Sequence, residues 1–260
     1  MAEDLVRLVD FLPQLGDGLL VTVQLALGGA LGSFAIALLL GLAMVAPTRW
    51  LAVPARIVVE FFRGTSLLVQ LFWLFYVLPL LGAELDPLMC GILALALNYG
   101  AYSAEVVRSS VMHVEPGQWE AALALSLTPA RRMFRVILPQ AWALMIPSLA
   151  TLQIQLLKGT AVASFLTLQD LNERIDILRQ DTGDTLFSYS VGFLLYFVLA
   201  WLIQVTMDLL EALAKRRLGR DPSDAGFVGR LVAGAGTSAG AGEADAPGTA
   251  EPAVAKGGAR

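Results

Sequence analysis

Charge is what this chain has least of. Asp, Glu, Lys and Arg make up 15% of its 260 residues, where a soluble domain carries roughly 25%. Apolar residues account for 57%. They cluster in windows of about twenty instead of recurring every 3.6 residues with polar faces between, so the solvent they suit is lipid, and a single water-bounded core is excluded. One cysteine, Cys90, excludes an intramolecular disulfide and gives no metal-ligand spacing. None of the apolar windows holds HExxH, GxSxG or a pair of aspartates, which removes the usual signatures of a membrane enzyme from the spans. A GxxxxGK[ST] phosphate loop is missing too, so no nucleotide site is expected on this chain. The first apolar window follows AEDLVRLVDFLPQLGD, which has no basic n-region, and no removable signal peptide is expected.

What is present is an all-α, polytopic pattern. Apolar windows at about 18 to 46, 54 to 80, 88 to 111, 139 to 165 and 186 to 212 predict five spans. Arg49 and Arg56 lie between the first two, Arg108, Arg131, Arg132 and Arg135 beside the third and fourth, and Lys215, Arg216, Arg217 and Arg220 after the fifth. The connection 82 to 87 carries only acids, and 166 to 185 carries Asp170, Glu173, Asp176, Asp181 and Asp184 against Arg174 and Arg179. The positive-inside rule then puts the N-terminus outside and the C-terminus in the cytoplasm. Residues 1–17 are amphipathic enough to lie on the outer membrane surface. Residues 18–220 form the transmembrane domain. From Asp221 the chain is too poor in large apolar residues to bury a core, and 221–260 is expected to be a disordered, low-complexity tail.

On that topology GQWEAALALSLTPARRMFRVILPQA, residues 117–141, belongs to the longest ordered cytoplasmic loop, spanning about 113–138. Thr128 can cap a helix whose first residue, Pro129, forfeits only a donor that would be orphaned anyway, so two short helices with a hinge between them are predicted. QWEAALAL forms a helix with small faces at Ala121 and Ala122, to which another surface can come close. By residue chemistry alone, a docking helix and an ordinary amphipathic loop both remain open.

The pattern Glu120, Ala121, Ala122, Ser126, Val136, Leu138, Pro139 resembles the EAA loop of ATP-binding-cassette (ABC) importer permeases. VEFFRGTSLLVQLFWLFYVLP is similar to the FRGTPLLVQL segment of the polar amino-acid permease family. NYGAYSAEVVRSSVMHVEPGQWEAA resembles its third-span-to-loop passage, and LQIQLLKGTAVAS its LLKxTSL segment. Together they cover most of residues 18 to 212. The resemblance implies a type I ABC importer permease in the bacterial inner membrane, surrounded by lipid and not itself an enzyme. Its implied partners are a second permease chain, identical or paralogous, a cytoplasmic ABC ATPase dimer that holds ATP and Mg2+, and an extracytoplasmic solute-binding protein. No cofactor or metal on this chain and no nucleic acid are expected. Within the family, FRGTS and NYGAY look closest to ectoine and hydroxyectoine permeases, with a polar amino acid of the arginine, glutamine or histidine class as the alternative substrate.

Two departures from the family pattern bear on sites. Ser126 stands at the loop's usual glycine, and forcing it to positive φ would cost about 1 to 2 kcal/mol, so a differently shaped turn is expected. Thr151 replaces a frequent asparagine, which changes any substrate contact made there. By the resemblance, Glu120 couples to the ATPase, with Ala121, Ala122, Ser126 and Pro139 shaping the contact. The polar side chains that interrupt the spans are path candidates, because lipid penalises them: Gln70, Trp73, Asn98, Tyr99, Tyr102, Thr151, Gln153, Gln155 and Lys158. Aromatic faces would take a substrate cation, and amide or ammonium donors its carboxylate. Each has a quieter role open to it: hydrogen bonding between helices, packing of Trp73 on a partner chain, or snorkelling of Lys158. Glu60 with Arg63, and Glu105 with Arg108, sit three apart and can pair along a helix as a gate or a structural tie. His113 is expected at the interface and Cys90 as a small packing residue.

Overall fold

The computed structural model describes residues 2–166 and 168–217. The tail expected from Asp221 lies outside them. Among the described residues all regular structure is helical. The helices in chain order are α1 (Ala2–Val45), α2 (Arg49–Gly64), α3 (Leu67–Phe72), α4 (Pro87–Met112), α5 (Pro116–Ala124), α6 (Pro129–Arg132), α7 (Leu138–Gly159), α8 (Leu171–Thr182) and α9 (Thr185–Arg217). Four stretches are long and apolar enough to cross a bilayer: Arg7–Val45, Pro87–Met112, Pro129–Leu166 and Thr185–Ala214.

The second expected span is not one helix. It breaks at Gly64, Thr65 and Ser66, and the two pieces, Arg49–Gly64 and Leu67–Leu81, meet at 101°. Thr65 and Ser66 are both extended, and a Gly–Thr–Ser run gives up helix propensity just where side-chain hydroxyls compete for backbone partners. Counted as one bent span, the pair brings the total to five.

Two helices carry a π turn, Trp73–Val77 and Met133–Ile137. Each ends just before a Leu–Pro pair, Leu78–Pro79 and Leu138–Pro139. Proline has no N–H to donate and its ring crowds the carbonyl four residues back, and a wider turn absorbs both. In the second case Gln140 Nε2 donates to Val136 O at 2.9 Å, a side-chain bond within the same turn.

The seam between α1 and α4 is built on small residues. A Cβ on Gly32 would sit 2.6 Å from Ala96 Cβ, and one on Gly41 2.7 Å from Val107 Cβ. Lipid supplies no hydrophobic drive between helices, so backbone approach and dispersion hold such seams. At one end of the bundle Ala37, Val107, Val111, Ile137 and Met145 form a core from α1, α4, the Met133–Ile137 turn and α7. At the other, the start of α1 packs on α8.

That last contact changes the expectation for residues 1–17. From Ala2 on, this stretch continues α1, and Phe11 and Leu15 are buried against Leu171, Ile175 and Leu178 of α8. Arg7 Nη1 donates to Asp181 O at 2.6 Å, closing the far end of the same contact. A helix from Arg7 to Val45 is about 58 Å long at 1.5 Å per residue, nearly twice the hydrocarbon thickness, so an untilted α1 has turns outside the hydrocarbon.

Candidate functional site

The loop between α4 and α7 follows the residue chemistry closely. Thr128 caps α6, its Oγ1 accepting from Arg131 N at 3.4 Å, with Pro129 in the first turn. α5 closes with Ser126 at φ 54°, the one non-glycine residue at positive φ among those described. Ser126 N donates to Leu123 O at 2.8 Å and Leu127 N to Ala122 O at 3.2 Å. That is a Schellman closure. The turn keeps the shape a glycine would give it, and Ser126 bears the strain, contrary to the expectation of a different turn. Trp119 packs into the core and lies 5.6 Å from the Arg132 guanidinium, while Gln140 Nε2 donates to Gln118 Oε1 at 3.1 Å. Both contacts fasten α5 to the segment leading into α7.

Glu120, Ala121 and Pro139 are exposed on this loop. Ala122 is not: at 2% exposure it packs within its own chain, so its small size serves the fold and not an outside surface. Leu123 and Leu125, which residue chemistry did not single out, are 64% and 74% exposed beside Glu120. The exposed face of the loop is thus one carboxylate flanked by apolar side chains.

The nine path candidates do not converge. Gln70 and Asn98 are buried at the elbow of the second span and spend their amide donors on its backbone. Tyr102 OH donates to Arg63 O at 3.1 Å in the same place. Trp73 lines an apolar cavity with Phe61, Phe62 and Gln70. Tyr99 OH donates to Gln155 O at 2.8 Å, tying α4 to α7, and the Gln155 side chain is exposed. Gln153 faces away from this group into a cavity against α1 and α9. Lys158 is exposed in the last turn of α7. Thr151 alone joins Tyr102, in a cleft of about 370 Å³ between the end of α2, α4 and α7.

That cleft is lined by Arg63, Tyr102, Glu105, Ser148, Thr151 and Leu152. Arg63 pairs with Glu60 at 3.0 Å and lies 5.5 Å over the Tyr102 ring, yet its buried Nε has no acceptor. Glu105 is held by Arg108 Nε at 2.9 and 3.1 Å. The i, i+3 pairs expected from spacing are therefore both formed, and they bring a cation and an anion to one cleft. Ser148 was not picked out, because a serine in a span is ordinary. His113 caps α4, its ring Nδ1 2.7 Å from Ser109 O, and Cys90 is buried at 1% exposure, in keeping with the packing role expected of it.

Two further polar groups were missed. Asp208 and Glu211 are buried in α9 at 3% and 6% exposure, with Gln204 Nε2 donating to Asp208 Oδ1 at 2.7 Å. Their i, i+3 spacing in LIQVTMDLLEALAK was the available signal. Asp170 is wholly buried at the start of α8, where its Oδ1 caps Glu173 N at 3.1 Å and its Oδ2 has no partner. Burial pushes this carboxyl up to about 6, against the backbone hydrogen bonds from Glu173 and Asn172 that favour its charge. Leu171 N donates to the buried Thr22 hydroxyl at 3.0 Å beside it.

Comparison with known proteins decides the family. Residues 33–220 match the family described as the binding-protein-dependent transport system inner membrane component. The chain belongs to that family. The permease is 40% identical over 220 residues to a probable amino-acid ABC transporter permease of Sinorhizobium fredii, covering 81% of this chain and 91% of that one. It is 34% identical over 218 residues to the L-cystine transport system permease of Bacillus subtilis, covering 84% and 91%. Among solved structures, an amino acid ABC transporter crystallised with histidines matches at a TM-score of 0.72 and 31% identity, covering 79% of the permease and 96% of that chain. The permease is thus a multi-pass inner-membrane transport subunit with the type I ABC importer fold.

Proposed function

We propose that this permease imports an amino acid, with its α-carboxylate at Arg63 and its ammonium toward Glu105, driven by a separate ATPase that docks on the exposed Glu120 face. The observation that carries the reading is the cleft itself. It sets the Arg63 guanidinium and the Glu105 carboxylate, each already paired along its own helix, on two different helices, beside Leu152 and the hydroxyls of Ser148 and Thr151. A zwitterion with a modest side chain complements that arrangement, and about 370 Å³ lies within the range of small-molecule sites. The relatives named above carry amino-acid names, which supports the same class. Ectoine has no counterpart among them, so the amino-acid reading takes precedence over the one suggested by FRGTS and NYGAY.

The N-terminus outside and the C-terminus in the cytoplasm, as the basic loops require, put Glu120 on the ATPase side. Closure of an ATPase dimer would then move α5 as a unit and, through Gln118, Trp119 and the core they join, tilt α7 against α4. Alternating access of this kind needs two stable packings of rigid helices and no chemistry on this chain. A second permease chain, identical or paralogous, and an extracytoplasmic solute-binding protein complete the assembly. The test is uptake of labelled L-cystine, L-glutamine, L-histidine and ectoine by cells that express the full transporter and lack their own carriers. Uptake of at least one amino acid and none of ectoine supports the reading; uptake of ectoine alone would overturn it.

A further inference from the structure

We infer that Asn98 and Gln70 are positioning residues, which fix the elbow of the second span and through it hold Arg63 in the cleft; this rests on the amino-acid reading above. The last turn of any helix leaves its carbonyls without partners, and in lipid each must be satisfied from within the protein. At the end of α2 four side chains meet that need. Thr65 Oγ1 donates to Phe61 O at 3.0 Å, Gln70 Nε2 to Phe62 O at 2.9 Å, and Tyr102 OH to Arg63 O at 3.1 Å. Asn98 Nδ2 lies between Phe62 O at 3.4 Å and Thr65 O at 3.5 Å, spanning the break. Gln70 Nε2 also reaches Thr65 Oγ1 at 2.6 Å, so the cap is one connected network drawn from α3, α4 and the break itself.

The consequence is geometric. Gln70 and Asn98 are 8% and 5% exposed, and their donors are committed to backbone oxygens on either side of the bend. Neither lines the cleft. Arg63 is the residue between Phe62 and Gly64, so whatever holds the Phe62 and Arg63 carbonyls sets where its side chain starts. Without the two amides the broken end would be free to rewind or to turn its carbonyls elsewhere, and the guanidinium would leave its place over Tyr102.

A structure of the complete transporter carrying Asn98→Leu and Gln70→Met reads the elbow with no substrate present. The bend should depart from 101° and Arg63 should leave the Tyr102 ring; an unchanged elbow would overturn the inference. Should that variant fail to assemble, Asn98→Asp keeps the shape but sets a carboxyl group against the Phe62 and Thr65 carbonyls in place of the amide donor, and is expected to act in the same direction. Uptake of labelled L-cystine, L-glutamine and L-histidine supplies the second reading. Asn98→Asp should lower it by about tenfold or more, tenfold being the cost of roughly one good hydrogen bond, and should add nothing to the loss caused by Arg63→Gln. Losses that multiply would mean that Asn98 meets the substrate directly, against the inference. If the unmodified transporter takes up none of the three, the amino-acid reading falls, and the elbow geometry alone decides the role of the two amides.

Discussion

Two residues hold conformations or charges that cost stability. Ser126 at φ 54° carries roughly 1 kcal/mol that glycine would not. Ser126→Gly should therefore slow amide exchange in α5 and raise its local stability by about that amount, read by hydrogen–deuterium exchange. Asp170 is the second case. Its carboxyl stands at about 6 in the fold against an ordinary 3.8, so the folded state holds the proton longer than the unfolded one. The contribution of this group to stability is then largest below about pH 4, falls as pH rises through 4 to 6, and is flat above, with a loss of up to about 3 kcal/mol. Asp170→Asn keeps an oxygen for the Glu173 cap and cannot ionise, so it should raise the melting temperature at pH 7 and abolish that pH dependence. A variant that melts lower at pH 7 would show that the charged carboxylate is itself needed.

Among elements, the loop between α4 and α7 was the most legible in sequence and the second span the least. Thr128–Pro129 and the EAA pattern are local signals, and local capping chemistry needs no tertiary partner, so the two short helices and their hinge appear as expected. The break at Gly64–Ser66 was written in equally local residues, but the apolar runs on either side read as one window, and hydropathy is blind to direction. Gln70, Asn98 and Tyr102 stood out in sequence as path candidates because lipid would penalise polar groups. Their partners were not legible, because these lie on another helix or across a break: Asn98 and the carbonyl of Phe62 are 36 residues apart. Ala122 fails as a docking surface for the same reason, since small size reads alike whether the close neighbour is inside or outside the chain. At this scale Glu120→Lys should abolish transport while leaving the permease inserted and folded, measured as uptake beside membrane abundance; normal uptake would remove Glu120 from coupling. Gly32→Leu should lower the thermal stability of the detergent-purified protein by parting α1 from α4, since even a methyl group there meets Ala96 at 2.6 Å.

For the whole molecule, the fold class, the number of spans and the family were carried by composition and motif order, while the substrate class was not. Substrate discrimination depends on a few side chains in a cleft, and the sequence could not say that Arg63 and Glu105, each paired along its own helix, come to face one volume. The central claim is that this volume takes an amino acid by its charged ends. The most direct measurement is ATP-driven uptake of amino acids into proteoliposomes holding the full transporter, comparing the unmodified permease with Arg63→Gln and challenging each with excess α-carboxamide analogue. Uptake should be left alone by the neutral analogue and cut by about tenfold or more in Arg63→Gln. Unchanged uptake in Arg63→Gln, or inhibition by the carboxamide as strong as by the amino acid, would contradict the claim.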